Sequence, residues 1–366
     1  MVGVATLMPD VWPARRGSAP ARPRLTRHVL HLERGNRVQV SVAGRGVPLV
    51  LVHGYTAEGF LYAQSLSRLV ASGFRVVAID AAGHGGTEGL EEGGADLQYY
   101  AGLLGRVVDH LGIEQAVFAG HSMGGRLVTE LVARQPRRGI AVVLIDAIVG
   151  DTWDGLVQLW RLVPGLMGMT GCALALDTAT TVPLLRDPRQ ALKLSRLWVP
   201  VALHNLRRPG GLVGAAVSIL RSGPTRWMLD RLAEERVPVV VVHGDRDVAV
   251  PLRTGEDAAR RTGGELVVVH GATHAWPLKD PETLPAIVNE LLAHGSLGPA
   301  VGAAVRAAGL DPARASLTDV ESAFCKPGAR LPTLDPEAGE EAFVSHRPRR
   351  PRYQWTRHRP EGPAPR

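Results

Sequence analysis

Short runs of valine, isoleucine and leucine alternate with longer segments of helical periodicity through most of this 366-residue chain. The predicted strands are 28–33, 37–43, 48–52, 75–80, 115–119, 141–146, 238–243 and 265–270. The predicted helices are 61–71, 97–111, 125–135, 226–235, 254–261 and 281–293. Strands that are apolar throughout need cover on both faces. The pattern therefore predicts an α/β fold, with a mostly parallel eight-stranded sheet and helices on its two sides.

The alternation stops after Asp146, and residues 151–224 show helical stretches without a clear strand. This interruption predicts an inserted helical cap, which divides the core into 28–150 and 225–295. Apolar side chains recur at helical spacing around Trp160 and Trp198. We expect part of these stripes to roof a site, with Trp160 and Trp198 binding an apolar substrate group. The alternative is that both stripes only pack against the core.

Positive charge is concentrated at the two ends of the chain, whose formal net charge is +7. Residues 1–27 carry five Arg and one Asp, and residues 296–366 carry eleven Lys and Arg against eight Asp and Glu. The segment between them is neutral, so no specific nucleic-acid binding is expected. Both ends are rich in Pro, Ala and Arg and are predicted to be largely disordered extensions. Weak binding of these ends to an anionic surface is the alternative.

The two cysteines, Cys172 and Cys325, do not form a pattern with ligand-like spacing. This excludes a disulfide scaffold or a zinc module, and we expect neither a metal nor a cofactor. No apolar run reaches the roughly 18 residues that a membrane span needs, and Pro9 and Pro13 interrupt the N-terminus before a secretory segment. A cytoplasmic location without a transmembrane segment is therefore expected.

Residues 120–124, Gly-His-Ser-Met-Gly, lie between a predicted strand and a predicted helix. Glycines on both sides allow a strained serine to project its hydroxyl from such a turn at the carboxyl edge of the sheet. The N-terminus of the following helix then faces developing negative charge. These features make Ser122 the predicted nucleophile.

A serine hydroxyl needs a histidine to accept its proton and a carboxylate to orient that histidine. His274 follows the last predicted strand of the core, where a loop can bring it over Ser122. Asp247 lies in the loop after the strand 238–243 and is the preferred carboxylate. Asp245, in the same loop, and Asp146, at the end of the strand before the cap, are the alternatives.

The order of these three residues, serine then aspartate then histidine, resembles that of the α/β-hydrolases. Residues 53–56 (His-Gly-Tyr-Thr) and 80–87 (Asp-Ala-Ala-Gly-His-Gly-Gly-Thr) are similar to two further turns of that family. The resemblance implies an oxyanion hole formed by the backbone N–H groups of Tyr55 and Met123. The serine at the elbow disfavours haloalkane dehalogenase and epoxide hydrolase chemistry, for which relatives use aspartate. The hexapeptide 120–125 resembles that of monoacylglycerol-lipase-like and other carboxylesterases.

The sequence thus predicts a serine hydrolase that cleaves a small-molecule carboxylic ester through an acyl-enzyme. Ser122 attacks, His274 transfers the proton and Asp247 orients His274. Hydrolysis of a carbon–carbon bond or perhydrolysis with the same residues is the first alternative. A ligand receptor with little or no turnover is the second. The oligomeric state is left open.

Overall fold

The computed structural model describes residues 25–33, 35–90, 96–181, 188–207, 209–334 and 350–359. Its strands are β1 (Thr26–His31), β2 (Arg37–Ala43), β3 (Val47–Val52), β4 (Phe74–Ile79), β5 (Ala116–His121), β6 (Gly139–Ile145), β7 (Val239–Gly244), β8 (Glu265–Val269) and β9 (Trp355–His358). They form one sheet in the order β1-β2-β4-β3-β5-β6-β7-β8-β9. The strands from β4 to β8 in this order are parallel, whereas β2 and β9 join them antiparallel. The predicted α/β fold is confirmed.

Helices cover both faces of this sheet. They are α1 (Ala63–Val70), α2 (Leu97–Leu111), α3 (Met123–Arg134), α4 (Asp151–Leu162), α5 (Pro164–Ala179), α6 (Pro188–Arg207), α7 (Pro209–Arg221), α8 (Arg226–Glu234), α9 (Leu252–Thr262), α10 (Trp276–Lys279), α11 (Thr283–His294), α12 (Leu297–Ala307) and α13 (Leu317–Ala323). Every residue of β3, β4, β5 and β7 is buried, because one hydrophobic cluster lies on each side of the sheet. The edge strands β1 and β9 are partly exposed.

The segment predicted as a cap contains α4 to α7. Polar contacts tie its first helix to the core: Thr152 donates hydrogen bonds from its backbone N and its hydroxyl to Asp257, and Asp154 accepts one from the backbone N of Thr225. Among the described residues, no single helix is both long and apolar enough to cross a membrane. Helices α4 and α5 reach that length only together, and the chain bends by 119° between them.

The C-terminal part of the chain differs from the sequence prediction. Helices α12 and α13 and strand β9 lie within the predicted disordered extension 296–366. With β9, the part of the chain that the structure describes has nine strands where the sequence predicted eight. Buried Glu321 accounts for part of this order, because it pairs with Arg45 at 3.1 Å and with buried Arg75 at 3.5 Å. The composition of the segment suggests that its charged residues are solvated, but in the structure Glu321 forms ion pairs with Arg45 and Arg75. The predicted N-terminal extension lies almost entirely outside the described residues.

Candidate active site

Ser122 lies between the end of β5 and the first turn of α3, with φ 53° and ψ −117°. A non-glycine residue in this region is strained and persists only where the surroundings hold it. Two glycines make the turn possible: a Cβ on Gly124 would lie 2.1 Å from the carbonyl oxygen of Val52, and one on Gly120 would lie 2.4 Å from the backbone of Gly124. The backbone N of Ser122 donates to the carbonyl of Ile145 at 2.9 Å. The packing thus imposes the turn predicted from the sequence.

His274 and Asp247 come from two loops at the same edge of the sheet, after β8 and β7. Nδ1 of His274 lies 2.6 Å from Oδ2 of Asp247, and both side chains are buried. The other oxygen of Asp247 accepts hydrogen bonds from the backbone N of Ala249 and of Val250 at 2.9 and 2.8 Å. The carboxylate is therefore fixed on both sides and holds the proton of His274 on Nδ1, which leaves Nε2 as the basic nitrogen.

The charges around this pair act on both members. Burial lowers the pKa of His274, but the negative charge of Asp247 and the hydrogen bond to it outweigh burial and raise that pKa to about 9. Burial raises the pKa of Asp247, but the interaction with His274 outweighs burial and holds it below the ordinary value. The two groups thus stabilise the protonated form of His274, which is the form produced when the histidine takes a proton from a nucleophile.

His121, the residue before Ser122, connects the elbow to the His274 loop. Its Nε2 lies 3.0 Å from the backbone carbonyl of His274, and its Nδ1 lies 2.8 Å from the hydroxyl of Tyr62. Burial, with the nearby charge of His274, lowers the pKa of His121 to about 3, so its ring is neutral. Because a carbonyl can only accept, Nε2 carries the proton and Nδ1 accepts from Tyr62. No pattern in the sequence predicted a role for His121 or Tyr62.

The hydrogen bonds among the described residues join His274 to Asp247 and to His121, and none of them joins Ser122 Oγ to His274 Nε2. Such bonds often tighten only when a substrate binds. The contact that does join the elbow to the histidine loop is made by His121, whose ring centroid lies 4.8 Å from that of His274.

The two alternative aspartates have other partners. Asp245 accepts a hydrogen bond from the backbone N of Gly271 at 2.7 Å and lies 3.1 Å from Nδ1 of His270. Asp146 is fully buried and accepts hydrogen bonds from Gly244 at 2.8 Å and from the indole of Trp276 at 2.6 Å. Burial and the charge of Asp247 raise the pKa of Asp146 well above its usual value.

Asp146, His243 and Asp247 have potential metal-ligating atoms within 4.8 Å of one another. The atoms that face one another already have protein partners: Nε2 of His243 hydrogen-bonds to the carbonyl of Val250 at 2.8 Å, Oδ1 of Asp146 accepts from the backbone N of Gly244, and Oδ2 of Asp247 lies 2.6 Å from Nδ1 of His274. We interpret the three residues as the hydrogen-bonded base of the loops and not as a metal centre.

Tyr55 and Met123, the predicted oxyanion-hole residues, flank the serine. Met123 is the first residue of α3. Tyr55 follows Gly54, where an added Cβ would lie 3.2 Å from Cβ of Ser122. The backbone of the loop after β3 therefore passes directly beside the serine. The hydroxyl of Tyr55 donates to the carbonyl of Leu212 in the cap at 3.2 Å, which joins this loop to α7.

A narrow cavity lies beside His274 and is lined by residues of both core and cap. Tyr55, Tyr62 and His121 line it from the core, and Leu174, Thr178 and Trp198 line it from the cap. Trp198, predicted to bind substrate, is thus adjacent to the site. Trp160 is not among the residues that line this cavity. It is buried against Trp153, with ring centroids 5.2 Å apart in an edge-to-face arrangement, because the stripe of α4 packs into the core.

The cap also touches the histidine loop directly. Asp177, near the end of α5, accepts a hydrogen bond from the backbone N of Ala275 at 2.8 Å. No motif in the sequence predicted a role for Asp177. The only feature of the sequence that could have pointed to Asp177 is that it is the one charged residue of the segment 164–179.

A parallel sheet, a strained serine between a strand and a helix, and an aspartate–histidine pair on the loops of later strands define an α/β-hydrolase. Residues 49–286 match the profile of the Alpha/beta hydrolase family, and the chain belongs to that family.

Known proteins resemble this chain over its core. A putative non-heme haloperoxidase of Mycobacterium phage D29 is 34% identical over 252 residues, which are 68% of this chain and 88% of the relative. A bifunctional esterase/perhydrolase of Acinetobacter calcoaceticus is 29% identical over 255 residues, covering 66% of this chain and 90% of the relative. A carboxylesterase structure from Nitrososphaera gargenis shares the fold with a TM-score of 0.56 and 22% identity, covering 72% of this chain and 96% of that one.

Proposed function

We propose that this protein is a serine hydrolase that cleaves a carboxylic ester with an apolar acyl or alcohol group. The observation that carries the proposal is the 2.6 Å contact between His274 Nδ1 and Asp247 Oδ2 at the sheet edge where Ser122 is held in a strained turn. A buried carboxylate, an oriented imidazole and a projecting hydroxyl are the groups that acyl transfer requires. The relationship to an esterase/perhydrolase supports the same chemistry.

In the first half of the reaction, Ser122 Oγ attacks the carbonyl carbon of the ester and its proton passes to Nε2 of His274. The backbone N–H groups of Tyr55 and Met123 stabilise the negative oxygen of the tetrahedral intermediate. When this intermediate collapses, the bond to the alcohol oxygen breaks and His274 returns the proton to the departing alcohol. An acyl group then remains on Ser122.

In the second half, His274 accepts a proton from water as the water oxygen attacks the acyl carbon. Collapse of the new intermediate releases the carboxylic acid and returns the proton to Ser122. The cavity beside His274 favours an apolar group because Leu174 and Trp198 line it from the cap. Charged substrates are expected to react slowly.

Perhydrolysis is the second candidate, since two relatives are described as a haloperoxidase and an esterase/perhydrolase. In that reaction hydrogen peroxide replaces water in the second half and the product is a peracid. The two activities share Ser122, His274 and Asp247 and differ only in the molecule that accepts the acyl group.

The test is a series of p-nitrophenyl esters from acetate to dodecanoate, measured with and without hydrogen peroxide. We expect kcat/KM to rise several-fold for each two added carbons until the cavity is filled, because each buried methylene contributes up to about 0.8 kcal/mol. A flat profile would contradict the apolar site. Accumulation of peracid in place of carboxylic acid would favour the second candidate.

A further inference from the structure

Exposed apolar side chains are concentrated on the cap. Among the described residues, fifteen large apolar side chains are exposed, and ten of them lie between residues 159 and 213. The most exposed are Leu162 at 80%, Leu206 at 77%, Leu176 at 70%, Met169 at 69% and Val213 at 60%. We call the exposed apolar side chains of residues 159–213 the outer cap face. Scattered exposed apolar residues are ordinary in proteins, but such a concentration on one insertion marks a contact surface.

Helix α5 shows the feature most clearly. None of its side chains is fully buried, yet its one charged residue is Asp177. That carboxylate is directed to the core, where it binds Ala275 and Lys279. Its Leu174 and Thr178 line the cavity beside His274, whereas Met169 and Leu176 are exposed. A helix that borders water normally carries charged side chains on its outer side, so this helix is adapted to an apolar neighbour.

Negative and positive side chains of the cap differ in their surroundings. Residues 151–224 contain eight Lys and Arg against four Asp. The three described aspartates of the cap all have partners outside it: Asp151 pairs with Arg261, Asp154 binds Thr225 and Asp177 pairs with Lys279. Arg161, Arg207 and Arg221 of the cap are exposed. The charge that the described part of the cap presents to solvent is therefore mainly positive.

We propose that the outer cap face docks on the surface of a bilayer that contains anionic lipids. A segment that exposes both apolar side chains and cations suits the boundary between lipid headgroups and acyl chains. A second copy of this chain is the less favourable occupant, because two such positive faces repel each other. The 119° bend between α4 and α5 favours helices lying on the surface over a span through the bilayer.

Docking in this orientation would bring the cavity beside His274 close to the bilayer. Two of the helices that carry the outer cap face, α5 and α6, also supply Leu174, Thr178 and Trp198 to the cavity beside His274. A molecule with a long apolar chain would then move from the bilayer to the site without passing through water. The docking itself does not depend on the proposed esterase function, and its test needs no substrate.

The experiment is co-sedimentation of the full-length chain with vesicles of phosphatidylcholine alone or of phosphatidylcholine mixed with phosphatidylglycerol. We expect binding to the mixed vesicles that weakens as salt is added, by up to about fivefold for each cation that contacts the surface. Equal binding to neutral and anionic vesicles, or no binding to either, would overturn the proposal.

Variants locate the surface. The double variant Met169→Glu/Leu206→Glu should lower the partition coefficient by about tenfold or more, because two apolar contacts are lost and two negative charges gained. Val29→Glu/Leu317→Glu makes the same change of charge at exposed apolar positions outside the cap and should reduce binding much less. Met169→Gln/Leu206→Gln removes the same apolar contacts without adding charge, so its comparison with the Glu variant distinguishes the two contributions. Circular dichroism checks the fold of each variant.

The two basic ends of the chain are the competing source of lipid binding. If the cap variants bind mixed vesicles as well as the unmodified protein does, the ends carry the affinity and the proposal is wrong. Sedimentation velocity without lipid tests the second copy as occupant. A dimer that Met169→Gln/Leu206→Gln dissociates, in a protein that does not bind vesicles, would replace the bilayer with another protomer.

Discussion

The carboxylate of Asp177 in the cap and the ammonium group of Lys279 in the core form an ion pair at 2.5 Å, with both side chains largely buried. The ammonium group also donates to the hydroxyl of Thr273 at 2.7 Å, and the carboxylate accepts from the backbone N of Ala275 at 2.8 Å. Both neighbours of His274 are thus held by this ion pair: Thr273 by Lys279, and Ala275 by Asp177. A shift of the cap would therefore also shift the loop that carries His274.

Asp177→Asn should therefore impair the chemical step more than substrate binding. An amide binds the ammonium group less strongly, so the loop loosens and kcat falls by about five- to twentyfold with a smaller change in KM. The matched control is Asp151→Asn, which removes another ion pair between cap and core, to Arg261 at 2.7 Å, away from the histidine loop. Equal kcat values for the two variants would show that the link to His274 has no catalytic role.

Asp247→Asn and Asp245→Asn should have very different effects on ester hydrolysis. The first removes the acceptor for Nδ1 of His274 and favours the wrong tautomer, so kcat should fall on the order of 10²- to 10⁴-fold. The second changes a partner of Gly271 and His270 and should alter kcat less than about threefold. Steady-state kinetics on both purified variants distinguishes them. A larger loss in Asp245→Asn would reverse the assignment.

The dependence of kcat/KM on pH should reflect the proton on His274. Only neutral His274 can accept the serine proton, so the rate rises with pH, and the pKa near 9 in the free protein places the midpoint well above the ordinary 6.5. Asp247, Asp146 and Asp177 all raise this pKa, whereas burial lowers it. The midpoint belongs to the coupled aspartate–histidine pair.

A variant tests the origin of this midpoint. Asp177→Asn removes one of the negative charges, and the rising limb should move to lower pH. Stopped assays from pH 5 to 10, with stability checked at each pH, measure both profiles. A midpoint at or below 6.5 in the unmodified protein, or a shift to higher pH in the variant, would contradict the electrostatic account.

Substitution of Trp198 should affect substrate binding, whereas substitution of Trp160 should affect the stability of the fold. Trp198 lines the cavity beside His274, so Trp198→Ala should raise KM for long-chain esters more than for acetate. Trp160 is buried against Trp153, so Trp160→Ala should lower the free energy of unfolding by about 3–5 kcal/mol. Chemical denaturation and the graded ester series measure the two effects. Loss of chain-length selectivity in a stable Trp160→Ala protein would contradict this division.

Much of the core could be predicted because the sheet is buried on both faces. Continuous apolar runs such as the four valines at 239–242 have few alternatives to a central strand, and a glycine-flanked serine after such a run predicts a turn at the sheet edge. Local pattern therefore placed Asp247 and His274 on loops at one edge of the sheet, but it did not predict the contacts of the histidine loop with His121 and Asp177.

The errors lie where distant residues decide the structure. Strand β9 has too few residues to show a period, and its order comes from pairing with β8, where Trp355 lies opposite Val269. The pairing of Arg75 with Glu321 joins positions far apart in the chain. Trp160 and Trp198 have similar apolar surroundings in sequence, and only packing places one in the core and the other beside the cavity.

The central claim, that Ser122 is the residue acylated by the substrate, is tested most directly by intact-mass spectrometry after mixing the protein with a fluorophosphonate or a slow p-nitrophenyl ester. We expect a single adduct per chain, mapped after digestion to the peptide that contains Ser122, with no adduct in Ser122→Ala and a fall in kcat on the order of 10³-fold or more. Circular dichroism should show that the variant is folded. A folded Ser122→Ala protein that still forms the adduct, or hydrolyses esters at the original rate, would contradict the account.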